Sequence, residues 1–264
     1  MTSDNVESGT AVPTSEVGVR YDLDGPVATV TLCRPEVLNA QTPAMWAELA
    51  NISRKLPGDV RVVIVRGEGR AFSAGLDLSV ARGDGDSSLG RLAHLSPSEC
   101  ADRIAGFQSA FTWLRNPSIV TIAAVHGHAI GAGFQLALNC DMRILAEDAK
   151  FSMAEVTLGL VPDLGGTKRL AELVGPSRAL EICLTGRRIA ADEADRIGLA
   201  TAVVADLPGA VADLAAAVVS ADQGAVAEIK ALLAGASLRS YQEQDRAERE
   251  AQTRRLRDLL GAGE

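Results

Sequence analysis

The stretch that most limits how this chain can fold is the run from Ile119 to Asp141, IVTIAAVHGHAIGAGFQLALNCD. Its first seven residues form an apolar, partly β-branched run of strand length. A glycine-rich turn follows, and a helix is expected over 131–138. The whole run is long enough to be mistaken for a membrane span, but His126, His128, Gln135, Asn139 and the clustered glycines argue instead for a strand, a turn and a helix buried in a soluble core, with no membrane partner. A helix that starts at Gly131-Ala132-Gly133 presents its first N–H groups without an internal partner and with the positive end of its dipole behind them. Something negative should sit there. One turn in, aimed at the same spot, stands the amide Gln135 and not an acid.

On either side of that run, β and α signals alternate. Residues 17–22 and 27–32 are β-prone and flank the turn Leu23-Asp24-Gly25-Pro26, which predicts a hairpin. Pro43 opens an amphipathic helix, PAMWAELANISRKL, closed by Pro57-Gly58, and residues 60–65 read as a buried strand, completing a βαβ unit. Residues 79–97 are polar and rich in glycine and serine, which predicts a mobile loop. Ser98 is expected to cap a helix running to Leu114. Strands at 119–125 and 141–146 and an extended piece at 150–153 follow. Beyond Gly165 the signals are almost wholly helical: 167–174, 176–184 and 192–197, then 201–204, two alanine-rich helices and a charged one at 239–260 in which Asp245 with Arg249 and Glu250 with Arg254 form i,i+4 pairs.

The expected organisation is therefore a loose polar tail over 1–16, without the basic start or hydrophobic block of a signal peptide, an α/β core over 17–200, and a helical region over 201–264. The chain has 264 residues, a net charge of −8 and four cysteines, Cys33, Cys100, Cys140 and Cys183. The acidic balance offers no basic face for nucleic acid. The cysteines lack metal or redox spacing, and three sit in apolar contexts that suggest core thiols, so a reducing, cytoplasmic location is the simplest inference.

A second glycine turn, Ala71-Phe-Ser-Ala-Gly-Leu-Asp-Leu78, follows strand 60–65 as the first follows strand 119–125. In open α/β layers the carboxyl ends of the strands form the ligand crevice. One N–H from near Leu76 and another from Ala132 can then aim at one oxygen, which is an oxyanion hole built from backbone. The alternative is that both turns merely need glycine for positive φ. A dinucleotide fingerprint is rejected because Leu136 stands where the third glycine of G-x-G-x-x-G would be, and no G-x-S-x-G elbow supports a serine hydrolase. His126 and His128 point in one direction on an extended segment, yet nothing nearby completes a metal set, so they read as packing histidines and no metal is assigned.

Four blocks in order carry a family resemblance: Arg34-Pro35 with Asn39-Ala40, AFSAGLDL, HGHAIGAGFQLALNCD, and Phe151 to Thr167, FSMAEVTLGLVPDLGGT. Over roughly residues 17–235 the chain resembles the crotonase, or enoyl-CoA hydratase/isomerase, superfamily. The resemblance implies an α/β fold of repeated ββα turns with a helical C-terminal trimerisation region, assembled as a homotrimer or a dimer of trimers. It implies an acyl-CoA thioester as substrate, its carbonyl oxygen held by the N–H groups of Leu76 and Ala132. Leu38, Ala40, Ala74, Asp77, Leu78 and Gly131 are the candidate substrate-binding residues, mostly through backbone. No cofactor is called for, since coenzyme A is part of the substrate.

The acids choose the reaction. Hydratases of the family resemble this chain but carry two glutamates, at the places of Gln135 and Glu155, and here only Glu155 remains. An amide can hold a water molecule but cannot take its proton at neutral pH, and losing a general base costs roughly 10²- to 10⁴-fold. A single carboxylate suffices to take a proton from C2 of a 3-enoyl-CoA and return it to C4 while the oxyanion hole holds the dienolate. Asp163 matches the place of a second acid in family dienoyl-CoA isomerases; it either shares proton transfer or caps the following helix. Isomerisation is favoured, hydration is the near alternative, and a non-catalytic acyl-CoA binding protein is the third reading.

Overall fold

In the computed structural model, residues 17–83 and 88–261 are described. The predicted hairpin forms β1 (Val19–Asp24) and β2 (Val27–Leu32). Helix α1 (Pro43–Lys55) follows, with Thr42 accepting the Met45 N–H at its start and proline in its first turn. It leads into β3 (Val62–Gly67), which pairs parallel to β2, so the βαβ unit is present. Between them and the next strand come three helices, α2 (Leu78–Ala81), α3 (Leu89–Ala93) and α4 (Pro97–Thr112).

Two expectations change here. The stretch from 79 to 97 is not a plain loop: its described residues include α2 and α3, each begun by a side-chain cap, Asp77 on the Ser79 N–H and Ser88 on the Arg91 N–H. Its residues 84–87 lie outside the described part. Helix α4 starts two residues earlier than expected because the spacing Ser96-Pro-Ser-Glu99 makes a reciprocal capping box, with Glu99 returning to the Ser96 N–H, and Ser98 is already inside the helix.

The remainder follows the predicted order, with two short strands, His128–Ile130 and Ile189–Ala190, that the sequence did not signal. Strand β4 (Val120–Val125) and the short β5 (His128–Ile130) precede α5 (Ala132–Asn139); β6 (Met142–Ala146) and β7 (Lys150–Ser152) come next. Then come α6 (Gly166–Val174), α7 (Pro176–Thr185), β8 (Ile189–Ala190), α8 (Ala191–Arg196) and β9 (Ala202–Val204). The chain closes with α9 (Leu207–Ser220), α10 (Gln223–Ala236) and α11 (Tyr241–Leu260). Six strands form one sheet in the order β1-β2-β3-β4-β6-β9, parallel except for β1, and β5-β7-β8 form a small second sheet.

The pleat sorts the large sheet's side chains onto two faces. Val63, Val65, Ala123 and Val125 face the main core, which includes Leu49, Phe72, Phe111, Phe134 and Phe151; Val62, Ile122, Ala124 and Ile144 face Val211 and Ala215 of α9. Burial on both faces explains why these strands read as continuous apolar runs. Arg143, 2% exposed, is fixed inside by donating to the carbonyls of Leu199, Cys140 and Ala137.

Helix α10 is tied to the core by Lys230, whose ammonium lies 2.7 Å from Asp141 and donates to the Ile119 carbonyl. On α11 the ion pairs differ from those expected: Arg246 takes Glu250, while Arg254 reaches across to Glu228 of α10 and Arg255 to Asp222. Arg255 also meets Asp258 one turn on in its own helix, so of the two only Arg254 pairs across the helices alone. Of the four cysteines, all free, only Cys140 is fully buried, and burial pushes its thiol up to about 12; the others are half-buried. Among the described residues no single helix is long and apolar enough to cross a membrane.

Candidate active site

Past β3 the chain remains extended and joins the second layer. The Ser73 N–H donates to the His128 carbonyl and the Ile130 N–H to the Ser73 carbonyl, pairing Ser73 with Ala129 in parallel. Three residues further along each segment come Leu76 and Ala132. A second parallel bridge sets Gln41 beside Leu76: the Gln41 N–H donates to Gly75 and the Asp77 N–H to the Gln41 carbonyl. In such a bridge the N–H of the flanked residue, Leu76, points the other way. Ala132 opens α5, so its N–H has no intrahelical acceptor. Among the described residues neither N–H has a partner.

Glycine is what lets these turns touch. Gly75 has φ +89, and a Cβ there would lie 2.5 Å from the Ile130 carbonyl oxygen and 3.5 Å from the Ala132 nitrogen; a Cβ at Gly133 would lie 2.6 Å from the Ser73 carbonyl oxygen. Both close approach and, at Gly75, positive φ require glycine in these turns.

Behind the turns lies a buried polar network that the sequence motifs did not single out as functional. Ser73 Oγ donates to the Asn39 carbonyl and accepts from Gln41 Nε2 and the Gly75 N–H, while Gln41 Oε1 accepts from Trp46 Nε1. Asn39, at φ +55, donates to the carbonyls of Glu68 and Ala71 and accepts the Arg34 N–H. Asn39 and Ser73 both sit inside conspicuous sequence blocks. Gln41 carries no local signal at all.

Glu155 follows β7 in a short 3-10 turn, Ala154–Leu158. Its carboxylate packs against the same glycine turn, since a Cβ at Gly131 would meet Oε1 at 3.3 Å. Gln135 is fully buried, and both ends of its amide are engaged. Its Oε1 accepts the Leu164 N–H at 2.8 Å and the Gly166 N–H at 3.3 Å, and its Nε2 donates to Glu155 Oε1 at 2.7 Å. The two backbone donors fix which end of the amide is oxygen, so the end facing Glu155 must be the NH₂. Glu155 Oε2 is buried with no hydrogen-bond partner.

Burial lifts the Glu155 carboxyl above the ordinary glutamate range; its own N–H and the Gln135 amide pull it down, and nearby Asp163 pushes it up. Burial likewise raises Asp163 above the usual aspartate range, opposed by its own N–H. Asp163 does not cap α6. That helix is preceded by Gly165 without any side-chain cap, and the N–H groups at 164 and 166 belong to Gln135.

These groups surround one cavity of about 480 Å³, whose lining includes Ala74, Leu76, Leu78, Gly131, Ala132, Gln135, Glu155 and Asp163. Its other walls are chiefly apolar, from α2, α3, α4 and the segment 158–164. Leu38, Ala40 and Asp77 stand behind the lining. Leu38 accepts the Ala74 N–H, Ala40 accepts from Arg34, and the Asp77 carboxylate is occupied by Arg34 at 2.9 Å and by Ser79, which hold it below the usual aspartate range. His126 Nε2 donates to the Gly69 carbonyl at 2.9 Å and, like His128, lies away from the cavity.

A mostly apolar cavity lined by the residues of two unpartnered N–H groups and by a raised carboxyl suits a ligand carbonyl whose neighbouring carbon exchanges a proton. A sequence profile of enoyl-CoA hydratase/isomerase matches residues 23–258. The chain belongs to the enoyl-CoA hydratase/isomerase family. Among the members of this family that it resembles, a Mycobacterium leprae protein named as a probable enoyl-CoA hydratase is 37% identical over 180 residues, 67% of this chain and 65% of that protein, so the match spans just under two thirds of that relative's length. A peroxisomal Δ3,5-Δ2,4-dienoyl-CoA isomerase of Arabidopsis thaliana is 36% identical over 70% of this chain and 68% of its own. A Thermobifida fusca YX protein assigned as an enoyl-CoA hydratase, crystallised with acetoacetyl-CoA, superposes with a TM-score of 0.86 at 47% identity, covering 92% of this chain and 96% of that one. The enoyl-CoA hydratase/isomerase fold expected from the sequence, an α/β core with a helical C-terminal region, is thus the fold observed.

Proposed function

We propose that the chain is an acyl-CoA enzyme that shifts a double bond of an enoyl-CoA, with Glu155 as the only general acid/base that must act and the N–H groups of Leu76 and Ala132 as the oxyanion hole. The observation that carries this is the asymmetry of the Glu155 carboxylate: Oε1 is held by Gln135 and Oε2 faces no partner. In this reading Oε2 takes the proton from C2 of a 3-enoyl-CoA. Electron density moves onto the thioester oxygen, where each backbone donor is worth roughly 3 to 4 kcal/mol. The protonated Glu155 then returns the proton to C4, and the double bond has moved to C2–C3 with no net gain or loss of atoms.

The raised carboxyl suits the task, because a base whose affinity for protons lies nearer the operating pH transfers them more effectively. Asp163 faces the same cavity and supports a share in returning the proton. Gln135 acts here as a clamp and not as a base. Hydration is the second reading, favoured by the names of the Mycobacterium leprae and Thermobifida fusca relatives; there Glu155 alone would take a proton from the water that attacks C3 and deliver it to C2. Acyl-CoA as ligand is supported by the acetoacetyl-CoA complex of the Thermobifida fusca protein.

A cytoplasmic setting is supported by the four free thiols. Assembly as a homotrimer or dimer of trimers belongs to the same proposal and is supported by exposed Leu233, Tyr241, Leu259 and Leu260 on the C-terminal helices and Leu238 in the turn between them.

The test is product analysis with 3-enoyl-CoA and 2-enoyl-CoA substrates beside a Glu155→Gln variant. Conversion of the 3-enoyl substrate that disappears in the variant is expected. Isomerisation unchanged in the variant would overturn the assignment of Glu155, and binding without turnover of either substrate would leave an acyl-CoA binding protein.

A further inference from the structure

The cavity and a groove on the outer surface share a wall one side chain thick. Pro43, Trp46 and Phe107 line both spaces. The inner one holds about 480 Å³; the outer one, about 740 Å³, lies between α1 and α4, with Ala44, Ala47, Leu95 and Gly106 among its apolar members and Glu99, Asp102 and Arg103 as its charged ones. The two aromatic members of the wall differ in how firmly they are held. Trp46 donates to Gln41 Oε1 at 2.8 Å, meets Phe111 edge-on at 6.0 Å and is 6% exposed. Phe107 is half-buried, and its ring meets Trp46 at 5.0 Å with the planes tilted by 55°. Beside it, a Cβ added at Gly106 would meet nothing within 4 Å.

We propose that Phe107 is the residue that sets acyl-chain length, closing the inner cavity against the fixed ring of Trp46, and that the outer groove receives the tail of a longer chain once that ring is removed or turned aside. The proposal rests on the enoyl-CoA reading above. The catalytic groups and the Phe107 wall line the same cavity, with Gly131, Ala132 and Glu155 on other elements from Trp46 and Phe107. A chain that starts at the oxyanion hole and follows the apolar lining therefore meets this wall. The groove beyond it offers Ala44 and Ala47 of α1, Leu95 just before α4 and the bare backbone of Gly106, apolar surface for additional methylenes beside its charged members.

The experiment measures binding of saturated acyl-CoA from butyryl- to palmitoyl-CoA by calorimetry, so that no turnover is needed and Glu155 plays no part. Affinity in the unaltered protein should rise roughly fourfold per methylene and level off where the cavity is filled. In Phe107→Ala the rise should continue for several methylenes more, and in Phe107→Trp it should stop earlier. The same break point in all three proteins would overturn the proposal, as would the absence of any acyl-CoA binding, which would end the enoyl-CoA reading as well. A second measurement is the emission of Trp46, read in a Trp113→Phe background because the chain has two tryptophans, which should shift only with chains long enough to reach the wall. A shift of equal size for the shortest and longest chains would also count against it.

Discussion

The side-chain nitrogen of Gln135 donates to Oε1 of Glu155 at 2.7 Å, while the oxygen of the same amide is held by two backbone N–H groups at the start of α6. Because this amide favours the ionised carboxylate, replacing it alters the acid side of the pH profile. In Gln135→Leu the acid limb of kcat/KM should move to higher pH, since the donor that lowers the Glu155 carboxyl is gone. Rates at high pH should fall less than at low pH. A profile that drops uniformly would show that Gln135 acts only on folding or positioning.

Gln135→Glu tests the missing acid. Its new carboxylate would face Glu155 across the same short distance, so the pair would hold one proton between them over a wide pH range and titrate as a unit. Hydration of 2-enoyl-CoA should rise by roughly 10²-fold, the low end of the roughly 10²- to 10⁴-fold contribution of a general base. No increase in a folded variant would mean that a second glutamate at this place is not what hydration lacks here.

Glu155 should cost the fold stability at neutral pH. Its folded carboxyl is raised above the unfolded value of about 4.3, so the folded state binds more protons within that window and stability falls as pH rises through it. Glu155→Gln should therefore abolish isomerisation and yet raise Tm at pH 7. The gain should shrink as the pH approaches 4 and both proteins become neutral at this position. Thermal melts across pH decide it, and a Tm that falls equally at every pH would overturn the sign.

Gly133→Ala places a Cβ 2.6 Å from the Ser73 carbonyl oxygen, a contact that backbone must move to relieve. Overpacking of this kind costs about 1 to 3 kcal/mol. The loss in kcat should exceed what that destabilisation explains, by roughly 10²-fold, because the two donors would no longer aim at one point. Steady-state rates beside a urea melt separate the two effects.

Arg143→Met leaves buried carbonyls of Leu199 and Cys140 without their donor. At roughly 1 to 3 kcal/mol for each unsatisfied group, the variant should lose about 3 kcal/mol or more, read as a lower urea midpoint with kcat/KM of the surviving folded protein unchanged.

Much of this was legible in the chain because its local signals agree with its tertiary structure. Continuous apolar runs announced strands buried on both faces, Pro43 announced α1, and the glycine turns before Leu76 and Ala132 announced the crevice. Boundaries were less legible where two caps compete, as at Ser96 and Ser98, because only the spacing to Glu99 and the geometry of the first turn decide between them. Asp163 looked equally fit to cap α6 or to face a ligand, and nothing local could show that Gln135, far away in sequence, had already taken those N–H groups. For the same reason Gln41 gave no sign of its place between Ser73 and Trp46. Contacts made across layers leave no period in the sequence.

The cradle at the start of α6 has a bearing on ancestry. It grips one oxygen of the residue at position 135, and glutamine and glutamate both offer an oxygen at that place. Their codons differ only in the first base. A lineage carrying this backbone can thus exchange a two-acid site for a one-acid site, or recover it, by a single nucleotide change that leaves the helix start satisfied at every step.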